Sequence, residues 1–457
     1  MSMPFPMPSA LDRARRKAYL RLLPILFFCY MIAYVNRSNV AIAALTMSRD
    51  LPGFDNAVIG FGAGVFFAGY FLLEIPGTLL VEKWSARKWI SRIMISWGIV
   101  AALTACVRRP WEFYTVRFFL GLAEAGFFPG VIVYLTHWFP SRDRARALAW
   151  FFVAAPLAQI ASPKISNWLL KIGIEGRPPI LGWVGWQWVY IAWGIPAVVL
   201  GFVVLAMLTD RPGQARWLTA DERQALEQEL KREKELHHAG RHMTVLEALR
   251  NPKVLTLAAA YFFVVAGNYG IEFFLPKIFE RWYHLKLDMV TWLVVLPPIG
   301  SLIGQILVGW NSDRTKERRL HASLPIFVGA AALGVVALLE APPLWLIVLL
   351  FVVVLTGQKA YMPAFWALPS LFLTEAAAAG SIGLINSVGN LGGWVGPWAL
   401  GWLEAQTGSF KPGLLVLVAS TAISAVIILA LGLGRRPDKP DPAGEADPLA
   451  EALHEAV

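Results

Sequence analysis

Gly309-Trp-Asn-Ser-Asp313-Arg314 lies between two long apolar runs and indicates how the chain is organised. Gly77 to Lys88 (GTLLVEKWSARK) holds a matching place between two earlier apolar runs, about 231 residues upstream, with its acid, Glu82, one position late. An acid beside an arginine at a helix end can hold two helices in one conformation and release them in another. The paired loops predict a duplicated helix bundle, although anchoring of helix ends by basic residues is the simpler alternative. The candidate gating residues are Glu82, Arg87, Asp313 and Arg314.

The chain around these loops is strongly apolar. Of its 457 residues, 57% are hydrophobic and 16% are charged, whereas soluble domains carry about 25% charged residues. A transmembrane helix takes about 20 residues, so the apolar content can fill about a dozen spans. This composition excludes a soluble enzyme, a disordered chain and a disulfide scaffold. Cys29 and Cys106 are the only cysteines, so the sequence supplies no disulfide or zinc framework.

The apolar runs predict an all-α membrane protein with twelve transmembrane helices in two six-helix halves. The predicted spans are 20–46, 57–81, 89–107, 111–138, 147–170, 186–208, 253–275, 290–311, 322–340, 344–373, 379–403 and 412–434. The two halves, 20–208 and 253–434, are joined by a polar linker, 209–252, in which a capping-box pattern predicts a solvated helix. A short segment, 1–19, precedes them, and we expect the acidic tail, 435–457, to be disordered.

The distribution of basic residues predicts the orientation of the chain. With both termini placed in the cytoplasm, Lys and Arg are about twice as frequent in the short inner loops as in the outer loops. The positive-inside rule therefore predicts a multi-pass protein of the cell inner membrane with cytoplasmic termini. The formal net charge of +10 is explained by this orientation, and we expect no nucleic-acid partner.

Several stretches resemble the major facilitator superfamily and, within it, the anion:cation symporter family. The most specific is Arg117 to Gly130 (RFFLGLAEAGFFPG) in the fourth span. Others are Tyr34-Val-Asn-Arg37, Gly69 to Pro76 (GYFLLEIP), Phe365 to Pro369 (FWALP) and Asn386 to Gly393 (NSVGNLGG). The resemblance covers about 20–434 and is strongest to bacterial tartrate-type members. It implies two halves that alternate access to a central site, and it implies a transporter rather than an enzyme.

Ionisable residues inside the spans are the best candidates for function, because a charge at the bilayer centre costs at least about 2.5–3.5 kcal/mol. They are Arg37, Glu74, Arg117, Glu124, Lys164, Glu272 and Lys359. The planar guanidinium of Arg37 suits bidentate binding of a carboxylate, and the resemblance implies the same role. The alternative is an arginine that pairs internally with an acid.

Arg117 and Glu124 are seven residues apart, so they face the same side of one helix and can line one cavity. The resemblance implies that Glu124 is the proton-coupling acid and that Arg117 tunes it. A static ion pair is the alternative. Many members of the resembled family have an aspartate where this chain has Asn36. The number of protons carried with each substrate therefore stays open.

Lys359 lies in the tenth span, opposite the first half. Together with Arg37 it could clamp both ends of a dicarboxylate, or it could pair with Glu272. Glu272 could itself be a second protonatable site. Glu74 is predicted to be structural, and Lys164 is predicted to be structural or to lie at the rim of the cavity. Neutral polar groups complete the candidate substrate site, with helix–helix contacts as their alternative role. They are Tyr34, Tyr70, Gln159, Trp366, Asn386 and Asn390.

These observations predict a secondary transporter that imports an organic anion by proton symport. A tartrate-like hydroxy-dicarboxylate is the favoured substrate and a sugar acid the next. The alternatives are an organic-anion exchanger, uptake of aromatic acids such as phthalate, and a membrane sensor that binds a ligand without moving it. The expected partners are a small organic anion, protons and the lipid bilayer, and we expect a monomer. No Walker A motif or metal-binding pattern occurs, so neither a cofactor nor a metal is predicted.

Overall fold

The computed structural model describes residues 9–174, 176–237, 250–339, 342–371 and 375–434, and these residues are helical almost throughout. The predicted disordered tail, 435–457, lies outside the described residues, as do 1–8 of the N-terminal segment and 238–249 of the linker.

The first half is built from helices α1 to α8, and α9 follows in the linker. Their bounds are α1 Ala10–Asp50, α2 Asn56–Lys83, α3 Ala86–Leu103, α4 Pro110–Glu124, α5 Phe127–Thr136, α6 Ser141–Phe152, α7 Ala154–Leu170, α8 Gly185–Met207 and α9 Ala220–His237. The second half is built from α10 to α18. Their bounds are α10 Pro252–Tyr283, α11 Leu287–Leu293, α12 Leu296–Thr315, α13 Arg319–Leu338, α14 Leu344–Ala360, α15 Met362–Ala367, α16 Glu375–Asn390, α17 Gly392–Thr407 and α18 Lys411–Leu431.

Each of the twelve predicted spans coincides with one of these helices or with two in succession. Among the described residues, ten helical segments are long and apolar enough to cross a membrane. The fifth and eleventh predicted spans are the helix pairs α6–α7 and α16–α17, and each pair is interrupted by one residue, Val153 and Leu391 respectively. The all-α architecture expected from the apolar runs is confirmed.

Local sequence explains where α1 and α4 begin and end. The hydroxyl of Ser9 accepts a hydrogen bond from the backbone N–H of Asp12 and caps α1, so this helix begins ten residues before the predicted span. Helix α4 begins at Pro110, where a missing N–H does no harm. It ends at Glu124 because Gly126 adopts a left-handed conformation, with φ of 81°, that separates α4 from α5.

The two halves meet along α1, α2 and α7 on one side and α10, α11, α12, α16 and α17 on the other. Helix α2 approaches α17 closely because small residues line its contact face. A Cβ atom added at Gly60 would lie 2.4 Å from the carbonyl oxygen of Pro397, and one at Gly64 would lie 2.6 Å from Trp394. Close backbone packing of this kind needs glycine.

One end of the bundle, the end at which α1 finishes, is held shut by polar contacts between the halves. These contacts join Asn56 to Glu404 (2.5 Å), Arg49 to Glu280, and Lys171 to Asp288 (2.8 Å). We call this end, defined by these three contacts, the latched end. Because the basic N-terminal segment is predicted to be cytoplasmic, the latched end is predicted to face outward.

At the opposite end, the described part of the linker packs against the first half. The carboxylate of Glu222 on α9 accepts a hydrogen bond of 2.7 Å from Lys17 on α1. Trp217, just before α9, stacks on Trp138 with ring centroids 5.2 Å apart. The capping box expected at Thr219 forms, since the backbone N–H of Thr219 donates to Glu222 and that of Glu222 donates to Thr219.

Candidate functional site

Arg37 lies near the middle of α1, at the boundary between the halves. Its side chain is 15% exposed, and its Nη2 pairs with the carboxylate of Glu124. Its Nη1 donates to the hydroxyl of Tyr269, 3.2 Å away on α10. The rings of Phe66 and Tyr70 lie 5.3 and 5.4 Å from the guanidinium carbon, so cation–π contacts hold it in place. Its Nε has no hydrogen-bond partner among the described residues.

Glu124 is the last residue of α4, directly before the break at Gly126. Its side chain is 2% exposed and contacts Arg37 through Oε1 only. Within the described part of the chain, its Oε2 has no hydrogen-bond partner. A buried carboxylate is stable only beside a cation or with a proton, and Arg37 is the cation that pairs with Glu124.

A second acid–cation pair lies beside the first, in the second half. Lys359 on α14 has its Nζ 3.5 Å from Oε2 of Glu272 on α10. The hydroxyl of Tyr34 on α1 donates to Glu272 at 3.1 Å and accepts from Lys359 at 3.3 Å. Gln159 on α7 also donates to Tyr34, at 3.4 Å. Tyr34 therefore connects the second pair to the first half.

Tyr269 separates the two pairs. Its hydroxyl accepts from Arg37, and its ring centroid is 5.6 Å from Nζ of Lys359. It lies three residues before Glu272 on α10 and therefore on the same face of that helix. Tyr269 is not among the residues predicted from the sequence, although this spacing could have indicated it. The two cations are thus one tyrosine side chain apart.

A cavity opens beside the second pair, between α1 and α7 of the first half and α10, α12 and α14 of the second. Gln159, Glu272 and Lys359 supply its amide and charged groups. Hydroxyl groups come from Ser38, Ser162 and Ser301. A wall that combines a cation, an acid, an amide and hydroxyls suits a small, hydroxylated anion.

Arg117 does not line this cavity. It is fully buried, its Nε donates to the carbonyl oxygen of Gly62 at 3.2 Å, and its Nη2 lies 3.5 Å from that of Ala63. Its guanidinium therefore points to α2, whereas the carboxylate of Glu124, two turns further along α4, points to α1. Helical spacing predicts that Arg117 and Glu124 lie on one side of α4. Their side chains nevertheless point to different helices, so they do not line one cavity.

Asn386 and Asn390 both lie on α16, in the second half. Asn386 donates to Oε1 of Glu74 at 2.6 Å, and Ser387 donates to Oε2 at 2.8 Å. Glu74 on α2 is thereby hydrogen-bonded to α16, so these contacts join the two halves. Asn390 is buried, and Trp366 packs edge-on against Tyr261 with centroids 5.0 Å apart. None of these residues contacts the acid–cation pairs through a hydrogen bond that the structure describes.

Asn36 precedes Arg37 but faces the interior of the first half. Its amide donates to the carbonyl oxygens of Trp193 on α8, at 3.0 Å, and of Ile32, at 3.2 Å. The side chain is 1% exposed. Asn36 therefore joins α1 to α8 through a neutral hydrogen bond.

The described side chains of each candidate gating loop contact residues of their own half or of the adjoining linker. Arg87 reaches the carbonyl oxygen of Leu205 at 3.3 Å and lies 3.8 Å from Asp210. Asp313 pairs with Arg318 at 2.6 Å, whereas Arg314 lies over the ring of Trp310. The side chain of Glu82 lies outside the described residues.

Asn56 and Glu404 were not selected from the sequence, because neither lies in a matched loop or at mid-span. Glu404 also pairs with Arg281. In the part of the chain that the structure describes, no group of three or more His, Cys, Asp or Glu side chains could hold a metal ion.

Comparisons with known proteins agree with this architecture. Proteins of known sequence match most of the chain. A protein of Agrobacterium vitis named "Putative tartrate transporter" is 41% identical over 92% of this chain and 91% of its own length. A "Quinolone resistance transporter" of Acinetobacter baumannii is 38% identical over 88% of this chain and 91% of its own length.

Solved structures match the fold. The partially occluded inward open conformation of the xylose transporter XylE from E. coli superposes with a TM-score of 0.70, covering 91% of this chain and 98% of that chain. At 11% identity, that likeness shows the fold alone. The family model of the Major Facilitator Superfamily matches residues 26–397 and 257–456. Two helical halves, the span-four motif and these matches agree: the chain belongs to the Major Facilitator Superfamily and is a multi-pass membrane transporter, not an enzyme.

Proposed function

We propose that this chain imports an organic anion together with protons, by alternating access of a site between its two halves. The observation that carries the proposal is the largely buried pair of Arg37 and Glu124, in which the guanidinium Nε has no hydrogen-bond partner among the described residues. A substrate carboxylate that binds Arg37 brings a second negative charge next to Glu124. Because two adjacent carboxylates cannot both stay ionised at low cost, substrate binding favours protonation of Glu124.

The favoured substrate is a tartrate-like hydroxy-dicarboxylate, with a sugar acid next. Arg37 and Lys359 supply two cations from opposite halves, one tyrosine apart. Tyr34, Gln159 and the cavity serines supply groups that can bind substrate hydroxyls. Two Agrobacterium vitis relatives carry tartrate transport in their names, at 41% identity.

The proposed cycle starts with the latched end open to the outside. The anion binds Arg37 while Glu124 takes a proton, the contacts of Asn56 with Glu404 form, and the opposite end opens. Substrate and proton then leave, and the Arg37–Glu124 pair forms again. We also propose that the protein lies in the cell inner membrane with both termini in the cytoplasm.

A monomer is sufficient for the proposed function, because both halves of the site come from one chain.

The test is uptake by the purified protein in proteoliposomes. A panel of labelled acids, including tartrate, galactonate and phthalate, is compared with and without an inward pH gradient. We expect uptake of tartrate to accelerate with the gradient and to fall with a protonophore. Uptake that is insensitive to the protonophore and requires an internal anion at every pH would instead identify an exchanger. A quinolone in the same panel tests the activity named for the Acinetobacter baumannii relative.

A further inference from the structure

The structure contains two acid–cation pairs at the site, and the function proposed above uses only one of its acids. We propose that Glu272 is a second proton-coupling acid and that Glu272 with Lys359 forms a second carboxylate subsite. The number of protons carried then equals the number of carboxylates on the substrate: two for a dicarboxylate and one for a monocarboxylate. This inference rests on the proposed function and adds its proton count.

The charges of the two pairs balance when no substrate is bound. Arg37 faces Glu124 and Lys359 faces Glu272, so each pair is neutral in the empty site. An uncompensated charge in a largely buried site is costly. A substrate carboxylate that takes either cation as its partner displaces the acid from it. Neutrality is restored only if that acid binds a proton.

The surroundings of Glu272 fit this exchange. Its carboxylate accepts a hydrogen bond from the hydroxyl of Tyr34 on α1 and pairs with the ammonium of Lys359 on α14. From α7, Gln159 reaches it only through Tyr34, and on its own helix Tyr269 is the nearby titratable group. Among the described residues, Lys359 is the cation that pairs with Glu272, at 3.5 Å. Removal of that contact would leave only a phenol to stabilise the carboxylate.

Access distinguishes the two acids. Glu272 and Lys359 line the cavity between the halves, whereas Glu124 does not. A substrate and a proton can therefore both reach the second pair. Beside Arg37, position 36 is an asparagine whose amide is bonded to Trp193, so it supplies no second acid there.

Geometry makes a two-carboxylate ligand the natural occupant. Arg37 belongs to the first half and Lys359 to the second, and both contact Tyr269. A short dicarboxylate that spans this tyrosine would contact both halves and displace both acids. A monocarboxylate on Arg37 would leave the Lys359–Glu272 pair intact and release only Glu124.

The charges of the transported species then cancel in both cases. A dianion moves with two protons and a monoanion with one, so no net charge crosses the membrane. Uptake is driven by the pH gradient and is insensitive to the membrane potential. A count of three protons per dianion would instead make uptake respond to the potential.

The experiment measures protons per substrate in proteoliposomes with the potential clamped at zero. The pH gradient is adjusted until net flux stops against a tenfold substrate gradient. Two coupled protons balance it with about half a pH unit, and one proton with about one unit. For the wild-type protein we expect two protons with tartrate and one with galactonate. Equal counts for the two acids would overturn the inference.

Glu272→Gln isolates the second acid. We expect this variant to carry one proton with tartrate, so that net negative charge enters and an inside-negative potential slows uptake. With galactonate it should still carry one proton. The control is Glu227→Gln, an exposed glutamate on α9 that lies outside the cavity and outside the latched end. The control should keep two protons with tartrate, and retention of two protons by Glu272→Gln would overturn the inference.

A second measurement tests the inference even if Glu272→Gln does not transport. Calorimetry of tartrate and galactonate binding to the wild-type protein, in buffers with different ionisation enthalpies, counts the protons bound with each ligand. Two with tartrate and one with galactonate support the inference, and equal counts contradict it. Failure of the proposed function looks different: the wild-type protein would then show no proton-linked uptake of either acid.

Discussion

At the scale of single residues, Arg37 contacts two polar side chains, and a further N–H group of its guanidinium can bind a third. One nitrogen pairs with Glu124, another donates to Tyr269, and Nε is free among the described contacts. A lysine ammonium carries the same charge but is a compact group without this planar fork. The function of this position therefore depends on shape as well as charge.

This difference predicts the effect of Arg37→Lys. The ammonium can keep Glu124 neutralised, but it cannot bind a substrate carboxylate with a second parallel hydrogen bond. Loss of one charged hydrogen bond is worth about 1.5–3 kcal/mol, so we expect the affinity for tartrate to fall about 10- to 150-fold. Equilibrium binding of labelled tartrate measures this. Arg16→Lys, at the start of the same helix, is the control, and equal losses in both variants would contradict the prediction.

A neighbouring residue leads to a second prediction. Asn36 donates to two backbone carbonyls in a buried position. In Asn36→Asp, an ionised carboxylate would face the same oxygens without a donor, and a buried unsatisfied group costs about 1–3 kcal/mol. We expect a lower Tm in detergent and no additional proton per substrate. An unchanged Tm together with a higher proton count would show that an aspartate is accommodated here.

Sequence reasoning found these residues but could not pair them. Arg37 and Glu124 stand out because a charge in a membrane span is costly, yet they are 87 positions apart on different helices. Arg117 lies on the same side of α4 as Glu124, but its long side chain donates to the carbonyl of Gly62 on α2. Helical spacing fixes the direction of Cβ only. The partner of a long side chain depends on tertiary packing.

At the scale of helices, hydropathy located the spans because an apolar run of sufficient length needs no tertiary information. It missed the break after Glu124, since an average of side-chain hydropathy does not register the left-handed backbone of Gly126. The break matters because it ends α4 at Glu124, the acid proposed to couple proton and substrate. Interrupted helices at membrane depth are tolerated where they line a protein interior, and here the interruption places a carboxylate beside α1.

The linker helix provides a prediction about pH outside the membrane. The hydrogen bond from Lys17 lowers the pKa of Glu222 below its ordinary value, which is about 4.3 for a glutamate. A carboxyl group with a lowered pKa stabilises docking above its ordinary pKa, and this contribution is lost as the pH falls through the lowered value. We therefore expect α9 to separate from the start of α1 in acid. Energy transfer between fluorophores on the two helices measures the separation.

The control variants sharpen this experiment. Glu222→Gln should dock more weakly at pH 7 and lose the acid transition, because its side chain does not titrate. Glu227→Gln, on the exposed face of α9, should keep the wild-type profile. Identical pH profiles for wild-type protein and Glu222→Gln would show that Glu222 does not control the docking.

At the scale of the whole molecule, closure of the latched end depends on how closely α2 and α17 approach each other. Asn56 at the start of α2 bonds the buried carboxylate of Glu404, and Gly60 lies one turn further along the same contact. The polar contact and the close approach belong to one surface. In an alternating-access transporter this surface must separate when the opposite end closes, so a side chain added here should favour the open arrangement.

Gly60→Val tests this coupling between local packing and global conformation. Its Cβ would lie 2.4 Å from the carbonyl oxygen of Pro397, a backbone atom that cannot rotate away. Overpacking costs about 1–3 kcal/mol, which corresponds to about 5- to 150-fold in the ratio of the two conformations. We expect spin-label distances across the latched end to increase and those across the opposite end to decrease. Gly334→Val on α13, where the nearest atom to an added Cβ is 3.8 Å away, should leave both distributions unchanged. If Gly60→Val also left them unchanged, the α2–α17 contact would not be the surface that opens.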